Sequence, residues 1–176
     1  MSKSFVTETP DELISNAERD IINVKVLLSK KFYPADLMYN VICLHSTQAV
    51  EKLLKSYIIG NGKKVEKIHS LSDLQKAAMK IDASFTEISK DCISLNEFVP
   101  NVKYSNEKPI TKQKINNAIK SLENICNFPP INAIRDSFNK KHKYKIIAEE
   151  VARSAAKTAA GLSVKTTGSS KKTKRG

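Results

Sequence analysis

The chain has 176 residues, 40% apolar and 27% charged, with 5 Gly and 6 Pro, enough apolar material for one buried core; collagen-like, wholly disordered and large multidomain readings are excluded. No apolar run reaches the roughly 18–20 residues of a membrane span, and Met1 to Pro10 lack the apolar core of a signal peptide, so the expectation is a cytoplasmic protein with no membrane contact. The net charge of +12 is lopsided: residues 140–176 hold 11 Lys and Arg against two acids, giving +9, and residues 1–139 hold 19 against 16, giving +3.

The first helix is predicted from its start. Thr9 suits the N-cap, Pro10 the first helical position, and Glu12 completes a capping box. Leu13, Ile14, Ala17, Ile21, Val24 and Leu28 follow at helical spacing, ending near Ser29 before Lys30 and Lys31. A long second helix is predicted from about Ala35 to Ile59, closed by Gly60, Asn61 and Gly62. Its apolar residues Met38, Ile42, Ala49, Val50, Leu53, Leu54 and Tyr57 are broad enough to make it central, while Gln48, Glu51, Lys52 and Lys55 form a polar face on which Glu51 and Lys55 can pair.

Ser70 caps a third helix, Leu71 to about Lys80, with Asp73 in its first turn. Phe85, Ile88, Cys92 and Leu95 mark a fourth helix that ends by Pro100. Thr111 caps a fifth, with Ile115, Ala118, Ile119, Leu122 and Ile125 on its apolar side, and Pro129 and Pro130 are read as its stop. Beyond them Ile131, Ile134 and Phe138 share one face, but Tyr144, Ile147, Val151 and Ala155 fall nearly opposite, which predicts a break near Asn139 to Lys143. From Gly161 the composition turns to Ser, Thr, Gly and Lys, which cannot bury enough apolar area to offset ordering.

No segment alternates with a period of two over strand length. The predicted fold is all-α, an up-and-down bundle of four or five helices over residues 9–128, with a helical C-terminal extension over 129–160 and a disordered basic tail over 161–176.

Enzyme signatures of the usual kinds are missing from the sequence. Gly60-Asn61-Gly62-Lys63-Lys64 lacks the spacing of a phosphate-binding loop and follows a helix, so it reads as a helix C-cap. His45, His69 and His142 have no local partners at metal-ligand spacing, and Cys43, Cys92 and Cys126 lie far apart in apolar surroundings; neither a metal site, a bound cofactor nor a disulfide framework is expected. Taken alone, the polar face of the second helix reads as a solvated surface.

Gln48-Ala49-x-Glu51-Lys52-x-x-Lys55 in a long second helix, a Gly-containing turn, and His69-x-Leu71-x-x-Leu74 opening the next helix resemble the higher eukaryote and prokaryote nucleotide-binding domain, HEPN. Lys103 and Tyr104 follow the fourth helix where many members carry Arg-Tyr-Pro, with Lys103 in place of the arginine and Ser105 in place of the proline. The similarity spans about residues 11–128. It implies a helical bundle, usually homodimeric, often encoded beside a minimal nucleotidyltransferase in toxin–antitoxin-like systems. Lys52, His69, Lys103 and Tyr104 become the candidate nucleotide- or partner-binding residues. Lys52 and Lys103 would hold an anion and Tyr104 would stack on a base or pack at a dimer seam.

Several branches of that family are metal-independent ribonucleases built on an Arg, usually a polar residue, and a His after four to six intervening positions. Arg135, Asp136 and His142 match this formally. His142 would then serve as general acid or base on a ribose 2′-hydroxyl, and Arg135 would stabilise charge at phosphorus. The leading expectation is a nucleotide- or nucleic-acid-binding or regulatory module, with RNA or nucleotide attracted by the basic C-terminus. The alternatives are a ribonuclease toxin using Arg135 and His142, or a helical scaffold without catalysis.

Overall fold

The computed structural model describes residues 4–29, 35–98 and 110–142. Six α-helices follow in chain order: α1 (Pro10–Ser29), α2 (Ala35–Gly60), α3 (Leu71–Met79), α4 (Ser89–Asn96), α5 (Lys112–Asn127) and α6 (Pro129–His142). The only extended pairing among the described residues is an isolated antiparallel bridge between Phe5 and Glu66. The all-α bundle is therefore the fold.

Three of these helices, α1, α3 and α5, start where a side-chain cap places them. The Thr9 N–H donates to Glu12 Oε2 at 2.8 Å and the Glu12 N–H to Thr9 Oγ1 at 3.3 Å, the reciprocal box predicted for α1. Those two Thr9 groups, backbone first, hold the Glu12 carboxyl below its ordinary value of 4.5. The box is thus intact above about pH 4.5 and is lost as pH falls and the carboxylate takes a proton. Ser70 and Thr111 cap α3 and α5 in the same way, accepting from the N–H groups of Asp73 and Lys114 at 3.3 Å each. At the end of α2 the Gly62 N–H donates to the Ile59 carbonyl at 2.9 Å and the Lys63 N–H to Ile58 at 3.2 Å. Gly62 stands at φ 75°, where a side chain would be strained, so the Gly-Asn-Gly run is a helix C-cap.

Two elements depart from expectation. The segment read as a fourth helix begins as a 3-10 turn, Ala83–Ile88, and only then becomes α4. Asp82 caps that turn by accepting from the Ser84 N–H at 2.9 Å, a local bond that competes with regular helix. Pro129 and Pro130 end α5, but they also open α6, because a first-turn residue needs no N–H donor. That helix runs as far as His142; Lys143, the last residue of the range in which the change of apolar stripe predicts a break, lies outside the described residues.

The central helix is α2, which packs against α1, α3, α4, α5 and α6. Leu53, Leu54, Val50 and Ala49 on α2 are wholly buried, together with Leu71 and Leu74 of α3, Leu95 of α4, Ile125 of α5 and Ile131 of α6. Phe85 sits among them, its ring centroid 4.5 Å from Tyr57 and 4.9 Å from Phe128. All three cysteines are buried and unpaired. Burial pushes the Cys43 and Cys92 thiols up to about 12 and Cys126 to about 11, which leaves them protonated and unreactive near neutral pH.

Candidate functional site

Three acids on α1 organise the polar side of the bundle. Asp20 is buried, and both its oxygens are used by α2: Oδ1 meets His45 Nδ1 at 2.8 Å, and Oδ2 accepts from Lys52 Nζ. His45 and Lys52 lie seven positions apart, close to two helical turns, so both stand on the α1-facing side of α2. About a quarter of each side chain reaches solvent, 23% for His45 and 27% for Lys52. Lys52 is therefore partly exposed and held in place by a buried carboxylate.

About 100° around the helix from Lys52, Glu51 gathers the rest of the polar face. It accepts from the buried Lys55 at 2.6 Å, the pair predicted on the helix, and from the reach of His69 Nδ1 at 3.1 Å. His69 lies just ahead of the α3 cap and is 69% exposed. Two of the residues selected by motif, Lys52 and His69, are thus each anchored by an acid, Lys52 by Asp20 of α1 and His69 by Glu51, the sequence neighbour of Lys52 on α2. The other two, Lys103 and Tyr104, lie outside the described residues.

The second acid, Glu18, pairs with Arg135 of α6. The guanidinium is bidentate, Nε to Oε1 at 2.6 Å and Nη2 to Oε2 at 3.3 Å, while Nη1 donates to the Cys126 carbonyl in the last turn of α5 at 3.2 Å. Burial is the largest influence and opposes the charged guanidinium, but the hydrogen bonds to Glu18 together with the nearby negative groups outweigh it and raise the Arg135 pKa. The third acid, Asp11, accepts from Lys141 Nζ at 2.7 Å and faces His142 Nε2 at 3.5 Å. Arg135 and His142 are seven positions apart, as are Glu18 and Asp11, so α6 runs antiparallel to α1 and is fastened to it at two points. Arg135 and His142 do share one side of α6, but roughly 10 Å apart along its axis. Most of Arg135's donors are already committed within the bundle.

Sequence reasoning found Lys52, His69, Arg135 and His142 but missed Asp20, Glu18 and His45. A signal was present. Asp20 lies seven positions from Leu13 and Glu18 four from Ile14, so both acids flank the apolar stripe of α1 instead of its solvent side. Among the described residues no group of three or more His, Cys, Asp or Glu side chains is arranged to hold a metal ion, and no helix is long and apolar enough to cross a membrane.

The chain belongs to the HEPN domain family: the family model matches residues 10–134, from the first residue of α1 to the residue before Arg135. No curated protein and no solved structure matches the chain significantly. Membership makes it a nucleotide- or RNA-related module in the general sense of that family, whose members often form dimers and bind RNA.

Proposed function

We propose that the chain is a HEPN-type nucleotide- or nucleic-acid-binding or regulatory module, cytoplasmic and homodimeric, that works as the partner of a minimal nucleotidyltransferase in a toxin–antitoxin-like system. The observation that carries this reading is the family match over residues 10–134, which encloses the α2 polar face with Lys52 and the adjoining His69. Lys52 is preset by Asp20 and still partly exposed, so little side-chain freedom is lost when it meets a phosphate. Lys103 and Tyr104 complete the proposed binding set, and the +9 of residues 140–176 adds sequence-independent attraction.

A ribonuclease reading draws support from one observation, the unbroken α6 that puts Arg135 and His142 on the same side. Against it stands the clamp of Glu18 on the guanidinium, which would have to open before Arg135 could hold a phosphoryl group.

One experiment addresses both. Fluorescence anisotropy with a short single-stranded RNA, in metal chelator, compares the wild-type chain with the Lys52→Ala, Lys103→Ala double variant, and gel analysis of the same samples reads cleavage. The expected result is intact RNA and a loss of affinity of about tenfold in the variant, two phosphate contacts removed. Equal affinity would remove the α2 face from the binding site. Cleavage abolished by Arg135→Ala and by His142→Ala, with folding retained, would put the ribonuclease first.

A further inference from the structure

Asn61 is the one asparagine of the sequence that a glycine follows. At such a pair the glycine nitrogen can reach the asparagine Cγ, because no side chain on the second residue hinders its approach. Both residues are exposed just beyond the C-terminus of α2. Apart from its chain neighbours, no atom lies within 4 Å of the point where a Gly62 side chain would begin, so the pair has open space in which to rearrange.

The α2 cap holds both reacting groups. Asn61 Nδ2 donates to the Tyr57 carbonyl at 2.8 Å, beside the Asn61 N–H on the same oxygen at 3.1 Å, and the Gly62 N–H donates to the Ile59 carbonyl at 2.9 Å. The Gly62 nitrogen must give up that proton and turn towards Cγ before it can attack. These bonds belong to the last turn of an exposed helix end, where opening costs least. Beyond the turn the chain is held separately: the Val6 N–H donates to the Val65 carbonyl and the Lys67 N–H to the Ser4 carbonyl, both at 2.9 Å. The cap can therefore open without releasing α3.

We propose that Asn61 is a self-modification site, converted to an acid through a cyclic imide whenever the α2 cap opens, and that the product keeps the cap from closing. In the first step the Gly62 nitrogen bonds to Asn61 Cγ, the Cγ–Nδ2 bond breaks, and ammonia leaves with the proton that the Gly62 amide gave up. Water then adds to one of the two imide carbonyls and breaks its bond to nitrogen. The products are an aspartate at position 61 or an isoaspartate, in which the chain runs on through the former side-chain carbonyl. In the first, the amide donor to Tyr57 is gone and a carboxylate stands at the negative end of the α2 dipole. In the second, an extra backbone carbon also carries the Gly62 N–H away from Ile59. None of these steps involves Lys52 or His69.

Incubating the full chain in mildly alkaline buffer, folded and in parallel unfolded in urea, tests this, with peptide mass mapping to locate the acid and isoaspartate analysis to identify the linkage. The folded chain is expected to convert at Asn61, but about tenfold more slowly than the unfolded chain, because the hydrogen bonds of the cap must open first. Asn61→Gln, whose longer side chain does not close the five-membered ring readily, should abolish the conversion. Asn61→Asp stands in for the first product. It should raise amide hydrogen exchange at Gly62 and Lys63 by at least about fivefold while Leu53 and Leu54 exchange as before. A folded chain that stays intact while the unfolded one converts, equal rates for the two, or an Asn61→Asp variant with unchanged exchange at Gly62 and Lys63 would overturn the proposal.

Discussion

Replacing Asp20 by Ala is expected to lower stability by about 2–3 kcal/mol and the melting temperature by about 8–12 °C. The reason is the asymmetry of a buried ion pair: removing one member leaves the others desolvated without compensation. Asp20 is 6% exposed and serves two partners from α2, so its loss strands His45 and Lys52 between α1 and α2. The cost stays below the roughly 3–5 kcal/mol of a fully buried pair because both partners retain about a quarter of their exposure and can regain water. Lys52→Ala should cost less, since Asp20 keeps His45. Urea unfolding followed by helical circular dichroism measures each, with an unchanged slope showing that stability alone moved. A change under about 0.5 kcal/mol for Asp20→Ala would mean that the carboxylate does not anchor α2.

Phe85→Ala should cost more, about 3–5 kcal/mol. The side chain is wholly buried, lies in the 3-10 turn before α4, and packs edge-on against Phe128 at 82° between planes and against Tyr57 at 45°. Truncation leaves a void among residues of α2 and the α5–α6 junction, and those helices cannot all close over it. Phe85→Leu, which keeps most of the volume, should lose about 1–2 kcal/mol. Equal losses for the two substitutions would show that the site collapses freely and that Phe85 is not the keystone of this corner.

The helices were legible in the sequence because their signals are local. Thr9 with Glu12, Ser70 with Asp73, and Thr111 each use a side chain and an N–H within three residues, and the apolar stripes repeat within one helix. The same locality explains the Glu51–Lys55 pair. Pro129 and Pro130 were ambiguous for a physical reason: a residue that cannot continue one helix is well suited to begin another. Of the range Asn139 to Lys143 in which the stripe predicts a break, α6 covers the part to His142, where Lys141 and His142 meet Asp11, and Lys143 lies outside the described residues.

The candidate site was half legible. Lys52 and His69 came from their motifs, but the acids that anchor them depend on how α1 lies against α2 and on which turn of α2 reaches α3. Asp20 is 25 positions from His45 and 32 from Lys52, and Arg135 is 117 from Glu18. Such pairings follow from the packing of the helices, which cap and stripe arguments leave open. They also place Arg135, the arginine of the formal nuclease match, in contact with Glu18 of α1 and the last turn of α5.

The central claim is that this bundle meets nucleic acid through Lys52 of α2 and through His69, which Glu51 of α2 holds. Its most direct test is a residue-resolved amide NMR titration of the full chain with short single-stranded RNA. The claim predicts shift changes concentrated on Gln48, Glu51, Lys52, Lys55 and His69, together with Lys103 and Tyr104. Changes confined to residues 140–176, with α2 and His69 unmoved, would contradict it.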